Sequence, residues 1–64
     1  MSERTFRPGD QVIRMAPDFA GVYRFQTYDV AAFNPHTVDG LELLGIPGRW
    51  NAENFELVAA GFRD

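Results

Sequence analysis

The chain has 64 residues, 45% of them hydrophobic and 14% aromatic, and nine acidic against six basic residues give a formal charge of −3. This composition argues for a packed core and leaves room for one domain, residues 1–64, near the lower size at which a chain folds alone. With no cysteine there is no disulfide framework and no thiolate metal site, so aromatic packing or self-association has to offset the small size.

Met1–Thr5 lacks the apolar run of a signal peptide, and residues 1–5 read as a frayed tail. Phe6-Arg7-Pro8-Gly9-Asp10 reads as a turn, because proline presets φ and glycine accepts a positive φ. A strand follows over Gln11–Met15. Its alternation places Ile13 and Met15 toward the core and Val12 and Arg14 on the other face, and the bending of a small barrel makes Val12 a further candidate for burial. Ala16–Gly21 is a connection bounded by Pro17 and Gly21, with Phe19 expected as a lid over the barrel end. Val22–Tyr28 is the strongest strand by pattern. Tyr23, Phe25 and Thr27 line one face, with Tyr23 and Phe25 in the core; Arg24, Gln26 and Tyr28 line the other, where the Tyr28 hydroxyl stays wet at the rim.

From Asp29 to Gly40 the alternation dissolves, broken by Asn34-Pro35 and by the hairpin signal Asp39-Gly40. Long connections in small domains carry function more often than short ones, and the tip of this one carries Phe33, Asn34 and His36. The chain then turns into Leu41–Leu44, with Leu41 and Leu43 inward and Glu42 outward. Pro47-Gly48 fits a type II turn, Arg49-Trp50 a short fourth strand, and Asn51 a cap for a single 3₁₀ turn through Ala52-Glu53-Asn54. Phe55–Val58 resumes alternation with Phe55 and Leu57 inward. Ala59–Asp64 is a tail, frayed or docked through Phe62.

The predicted fold is thus mainly β, a small five-stranded barrel with a 3₁₀ turn before the last strand. That layout resembles SH3-like barrels, and the chain resembles small phage and prophage proteins of that fold. The residues that carry the likeness are Gly9-Asp10, Val12 and Arg14, then Gly21 and Tyr23, then Gly45-Ile46-Pro47-Gly48, Trp50, Ala52 and Phe55-Glu56-Leu57-Val58. It covers nearly the whole chain except residues 29–40, and it implies a phage origin but no single activity. Eukaryotic SH3 domains share the layout alone: the tryptophan here precedes the 3₁₀ turn and the acidic loop is reduced to Asp18, so their polyproline site does not transfer.

The residues argue against enzymatic chemistry. There is one histidine, His36, and one serine, Ser2, and no nucleophile with an adjacent base can be assembled from them. No catalytic residue, metal ligand set or cofactor is therefore assigned. Glu53 and Glu56 are spaced as paired carboxylates but read as a solvated edge, and Gly45–Gly48 is a turn rather than a phosphate loop. No stretch reaches the length of a membrane span, so a cytoplasmic protein, of a bacterial host if phage-encoded, is the expectation.

Nucleic acid is disfavoured as a partner, because Arg49 and Arg63 face Asp39, Glu42, Glu53, Glu56 and Asp64 in the second half of the chain and phosphate binding depends on basic residues. Were it bound, Arg14 and Arg24 would share an outer face with Tyr28 as a stacking platform. The favoured function is binding of a protein of the host or the virus, through Phe33, Asn34, His36, Arg49, Trp50 and Tyr28, since aromatic and arginine residues dominate interface energetics. For Trp50 the reading as a core or rim residue that closes the barrel is favoured over an exposed contact, and an exposed Phe33 would also suit a homo-oligomer. A minor virion or assembly component is the remaining class.

Overall fold

A computed structural model describes residues 5–61 of the chain. Five strands, β1 (Gln11–Arg14), β2 (Thr27–Phe33), β3 (Leu41–Leu43), β4 (Ile46–Trp50) and β5 (Phe55–Ala59), are joined by connections, the longest over residues 15–26 between β1 and β2, and by one 3₁₀ turn at Ala52–Asn54. They form one antiparallel sheet in the order β4-β3-β2-β1-β5. The protein is mainly β and the sheet is not closed: β4 and β5 are its two edges.

The long strand β2 organises the sheet. Its first half pairs with β1, Val12 opposite Tyr28 and Ile13 opposite Thr27. Its second half pairs with β3, Val30 opposite Leu43 and Phe33 opposite Leu41, with a register shift between Val30 and Ala32. A bulge of this kind bends a strand and increases its twist, so the two halves of the sheet fold over a shared core. Val12, Val22, Leu41 and Phe55 are its fully buried side chains; Phe6, Val30, Leu43, Trp50 and Ala52 complete it.

The sequence order of turns explains most of this. Arg7-Pro8-Gly9-Asp10 closes with Asp10 N–H donating to Arg7 O at 3.0 Å, and Gly9 has φ +92°, the proline and glycine sitting where a type II turn needs them. The Asp10 carboxylate is buried and accepts from Arg7 N (2.9 Å) and Gly61 N (2.8 Å), which fastens the segment after β5 to the turn before β1. Leu41 and Leu43 are buried with Glu42 outward, as the alternation predicts. Asn51 caps the 3₁₀ turn, its Oδ1 accepting from Glu53 N at 2.9 Å.

Other expectations are corrected. In β1 it is Val12 and Arg14 that point inward, whereas Ile13 is half-buried and Met15 exposed. A four-residue strand with apolar side chains on both faces does not specify its own face, and pairing decides it. The expected strand over Val22–Tyr28 exists only from Thr27. Tyr23 and Phe25 are 54% and 58% exposed instead of core, because Tyr23-Arg24-Phe25-Gln26 is a turn, closed by Gln26 N–H on Tyr23 O at 3.2 Å with Phe25 at φ +67°.

The irregular stretch expected over 29–40 begins only at Asn34, since β2 runs through Phe33. The turn expected at Pro47-Gly48 lies instead at Leu44-Gly45, where Gly45 has φ +81°. Pro47 and Gly48 sit inside β4, an edge strand, where a missing N–H is tolerated. Leu57, expected inward, is 50% exposed, and Phe55 alone in β5 is buried. Phe62 lies outside the described residues.

Candidate functional site

Two connections converge on the segment from Trp50 through the 3₁₀ turn. The first, between β1 and β2, leaves the end of β1 with Met15 N–H donating to Asn54 O at 2.8 Å. Further on, Phe19 stands edge-on to Trp50, ring centroids 6.2 Å apart at 81°. The second, between β2 and β3, faces the same turn across an open groove of about 200 Å³, lined by Phe33, Pro35, Thr37 and Val38 on one side and Asn51, Ala52 and Glu53 on the other.

The first connection is a fastened structure. Phe19 and Val22 exchange both backbone hydrogen bonds (2.8 and 2.9 Å) around Ala20 at φ +51° and Gly21 at φ +90°. Two positive φ values make this a type I′ hairpin, with alanine where asparagine or glycine is usual. Asp18 Oδ1 accepts from Arg24 N at 2.7 Å, and the Tyr28 hydroxyl accepts from Tyr23 N at 2.8 Å. Arg14 backbone atoms pair with Phe25 N and Gln26 O. What is held so firmly is apolar and outward: Met15, Phe19 (68% exposed), Tyr23 and Phe25, with the Arg24 guanidinium 4.9 Å from the Phe25 ring. Large apolar side chains exposed on one connection make it a candidate interaction surface.

The residues singled out in the sequence divide. Phe33 lies at the end of β2 and is half-buried, edge-on to Phe6 at 5.6 Å. It is therefore not at a loop tip, but it does line the groove. Asn34 and His36 stand beside that groove, the Asn34 Oδ1 accepting from His36 N at 2.9 Å. Arg49 is exposed on β4. Trp50 is a core residue, 7% exposed, and Tyr28 is half-buried as a support for the first connection. Phe19 contacts Trp50 but is too exposed for the lid it was expected to be.

Arg14 and Arg24 do not share an outer face. Arg24 is exposed, but Arg14 is 5% exposed, its guanidinium between the rings of Trp50 (5.5 Å) and Phe55 (5.3 Å). The basic surface imagined for nucleic acid is to that extent dismantled. Sequence reasoning missed Tyr23 and Phe25 as surface residues; the available signal was Asp18, a side chain able to take a loop N–H and so end the strand reading early.

Among the described residues no group of three or more histidine, cysteine, aspartate or glutamate side chains is placed to hold a metal ion, and no helix is long and apolar enough to cross a membrane. The chain matches no known family, no curated protein and no solved structure.

Proposed function

We propose that this chain is a non-enzymatic protein-binding module, an SH3-like barrel encoded by a phage or prophage, which binds and modulates a host or viral protein in the bacterial cytoplasm. The observation that carries the binding reading is the display of Phe19, Tyr23 and Phe25 on a hydrogen-bonded connection. Aromatic side chains bury large areas at small entropic cost, which is why they anchor interfaces. A five-stranded antiparallel sheet with a 3₁₀ turn between its last two strands supports the SH3-like assignment, and a formal charge of −3 favours a protein over a nucleic acid as partner.

The test is affinity capture from bacterial lysate with and without nuclease, using the wild-type chain and Phe19→Ser in parallel. The expected result is a stoichiometric protein that survives nuclease and is lost from Phe19→Ser while that variant keeps the wild-type melting temperature. Loss of every partner on nuclease treatment, or equal capture by both chains, overturns the reading.

A further inference from the structure

We infer that Arg14 and Trp50 form a recessed site for a carboxylate, covered in this structure by the Pro17–Phe19 segment. The starting point is a buried charge that no carboxylate among the described residues pairs with. Arg14 is 5% exposed, and its Nε and Nη2 both donate to one neutral acceptor, the carbonyl of Pro17, at 3.1 and 2.9 Å. Its Nη1 is buried with no hydrogen-bond partner, and so is Nε1 of Trp50. The Arg14 guanidinium carbon is 5.5 Å from the centroid of the Trp50 ring, so the two side chains that carry the orphaned donors are neighbours.

Both orphaned groups are donors and neither can accept. Buried polar groups are normally satisfied, and buried cations are normally paired, because each unmet N–H and each uncompensated charge is costly. The rings of Trp50 and Phe55 flank the guanidinium and attract it through their faces, but they leave both N–H groups unmet. A carboxylate has the chemistry the pair lacks: it neutralises the charge, and its oxygens accept from arginine and from indole N–H groups. A water molecule would satisfy donors without neutralising anything.

The way in is through the first connection. Pro17 O accepts from the guanidinium and Phe19 stands edge-on to Trp50 while remaining 68% exposed, so the Pro17–Phe19 segment has to move for a ligand to reach the pair. The inference adds to the protein-binding reading and rests on it for the source of the carboxylate, an acidic side chain or chain terminus of the partner. The site itself is tested without any partner.

The chain has a single tryptophan, so its indole N–H gives one resolvable signal in a ¹⁵N-labelled sample. Sodium acetate is titrated against sodium chloride at constant ionic strength, following that signal and the Arg14 Nε–H. Acetate is expected to move both along a saturating curve, with chloride inert. Phe19→Ala, which removes an exposed side chain, is expected to tighten acetate several-fold, and Trp50→Phe, which keeps a ring and loses the donor, to weaken it by about tenfold or more as read on Arg14. Peptides with one carboxylate, either a C-terminal acid or an internal aspartate with an amidated end, show which source binds more tightly. Equal, unsaturating shifts in acetate and chloride, or an indole proton that exchanges magnetisation with a bound water and ignores acetate, overturn the inference. If acetate fails while nuclease-resistant capture by the wild-type chain persists, only the carboxylate site falls; if both fail, the binding reading falls with it.

Discussion

The connection from β1 to β2 and the connection from β2 to β3 both reach the Trp50–Asn54 segment, yet they are built differently. The first holds two residues other than glycine at positive φ, Ala20 and Phe25, and exposes four large apolar side chains, Met15, Phe19, Tyr23 and Phe25. Side-chain acceptors from Asp18 and Tyr28 and the guanidinium of Arg14 fasten it. The second is closed by Asn34 N–H on Gly40 O at 2.9 Å and by the Asn34 side chain on His36 N, and of its large hydrophobic side chains it exposes Val38. Strain and exposed rings cost stability, so the fastening of the first connection makes sense as the upkeep of a surface. The second is an ordinary hairpin loop with chemistry suited to its turns.

The sharpest way to break this contrast is to remove the core residue on which the first connection leans. Trp50→Ala deletes a 7%-exposed side chain that touches Phe19 and Arg14, and by the usual cost of emptying an aromatic core position it should destabilise by about 3–5 kcal/mol in chemical denaturation. Phe19→Ala, on the exposed side of the same contact, should stay within about 1 kcal/mol in that assay. Equal costs for the two would make the first connection part of the core and end its claim to be a displayed surface.

Gly40 separates the connections next. A Cβ there would overlap the backbone oxygen of Asn34, the residue that closes the second connection. Backbone cannot swing aside as a side chain does, so Gly40→Ala should cost about 1–3 kcal/mol, the usual range for overpacking. The expected signature is local: amide exchange speeds up over Asn34–Leu43 while Phe19 and Val22 stay protected. Loosening of both connections together would show that they are one cooperative unit.

How far the sequence could carry this is clear from the same two regions. The second connection was legible at its end: Asn34-Pro35 and Asp39-Gly40 are strong turn signals, and Leu41 and Leu43 fell inward as alternation predicts. Its beginning was not, because Asp29-Val30-Ala31-Ala32 has little strand propensity, and pairing with β1 and β3 rather than local preference makes it a strand. In the first connection the pattern misled. Tyr23, Phe25 and Thr27 alternate well, but period two in a short stretch cannot distinguish a strand from a turn held by a distant acceptor. That acceptor, Asp18, lies six residues before the N–H it takes. Arg14 was misplaced for a related reason: a charge is assigned outward by default, and the Trp50 and Phe55 rings around it and the Pro17 carbonyl it donates to, which hold it inward, are not adjacent to it in the pattern. Asn51 as a cap and Pro8-Gly9 as a turn needed nothing beyond their neighbours, and both were read correctly.

The smallest expected effect bears on whether the strain in the first connection is functional. Ala20 sits at φ +51° as the first central residue of a type I′ hairpin, a conformation that costs an L-residue such as alanine about 1–2 kcal/mol and suits asparagine much better. Asparagine keeps a Cβ, so the unfolded chain gains less freedom than it would with glycine, and most of the relief should appear as stability. Ala20→Asn should therefore raise stability by about 0.5–1 kcal/mol in denaturant titration. If the strain serves only to aim Phe19, the variant holds the same hairpin more firmly and binds a partner as well as the wild type. If movement of the Pro17–Phe19 segment is what admits a carboxylate, the stiffer hairpin should weaken acetate binding, opposite in sign to Phe19→Ala. A fall in stability would mean that the exchange of hydrogen bonds between Phe19 and Val22 is not the rigid centre of the connection, and the contrast between the two connections would lose its structural basis.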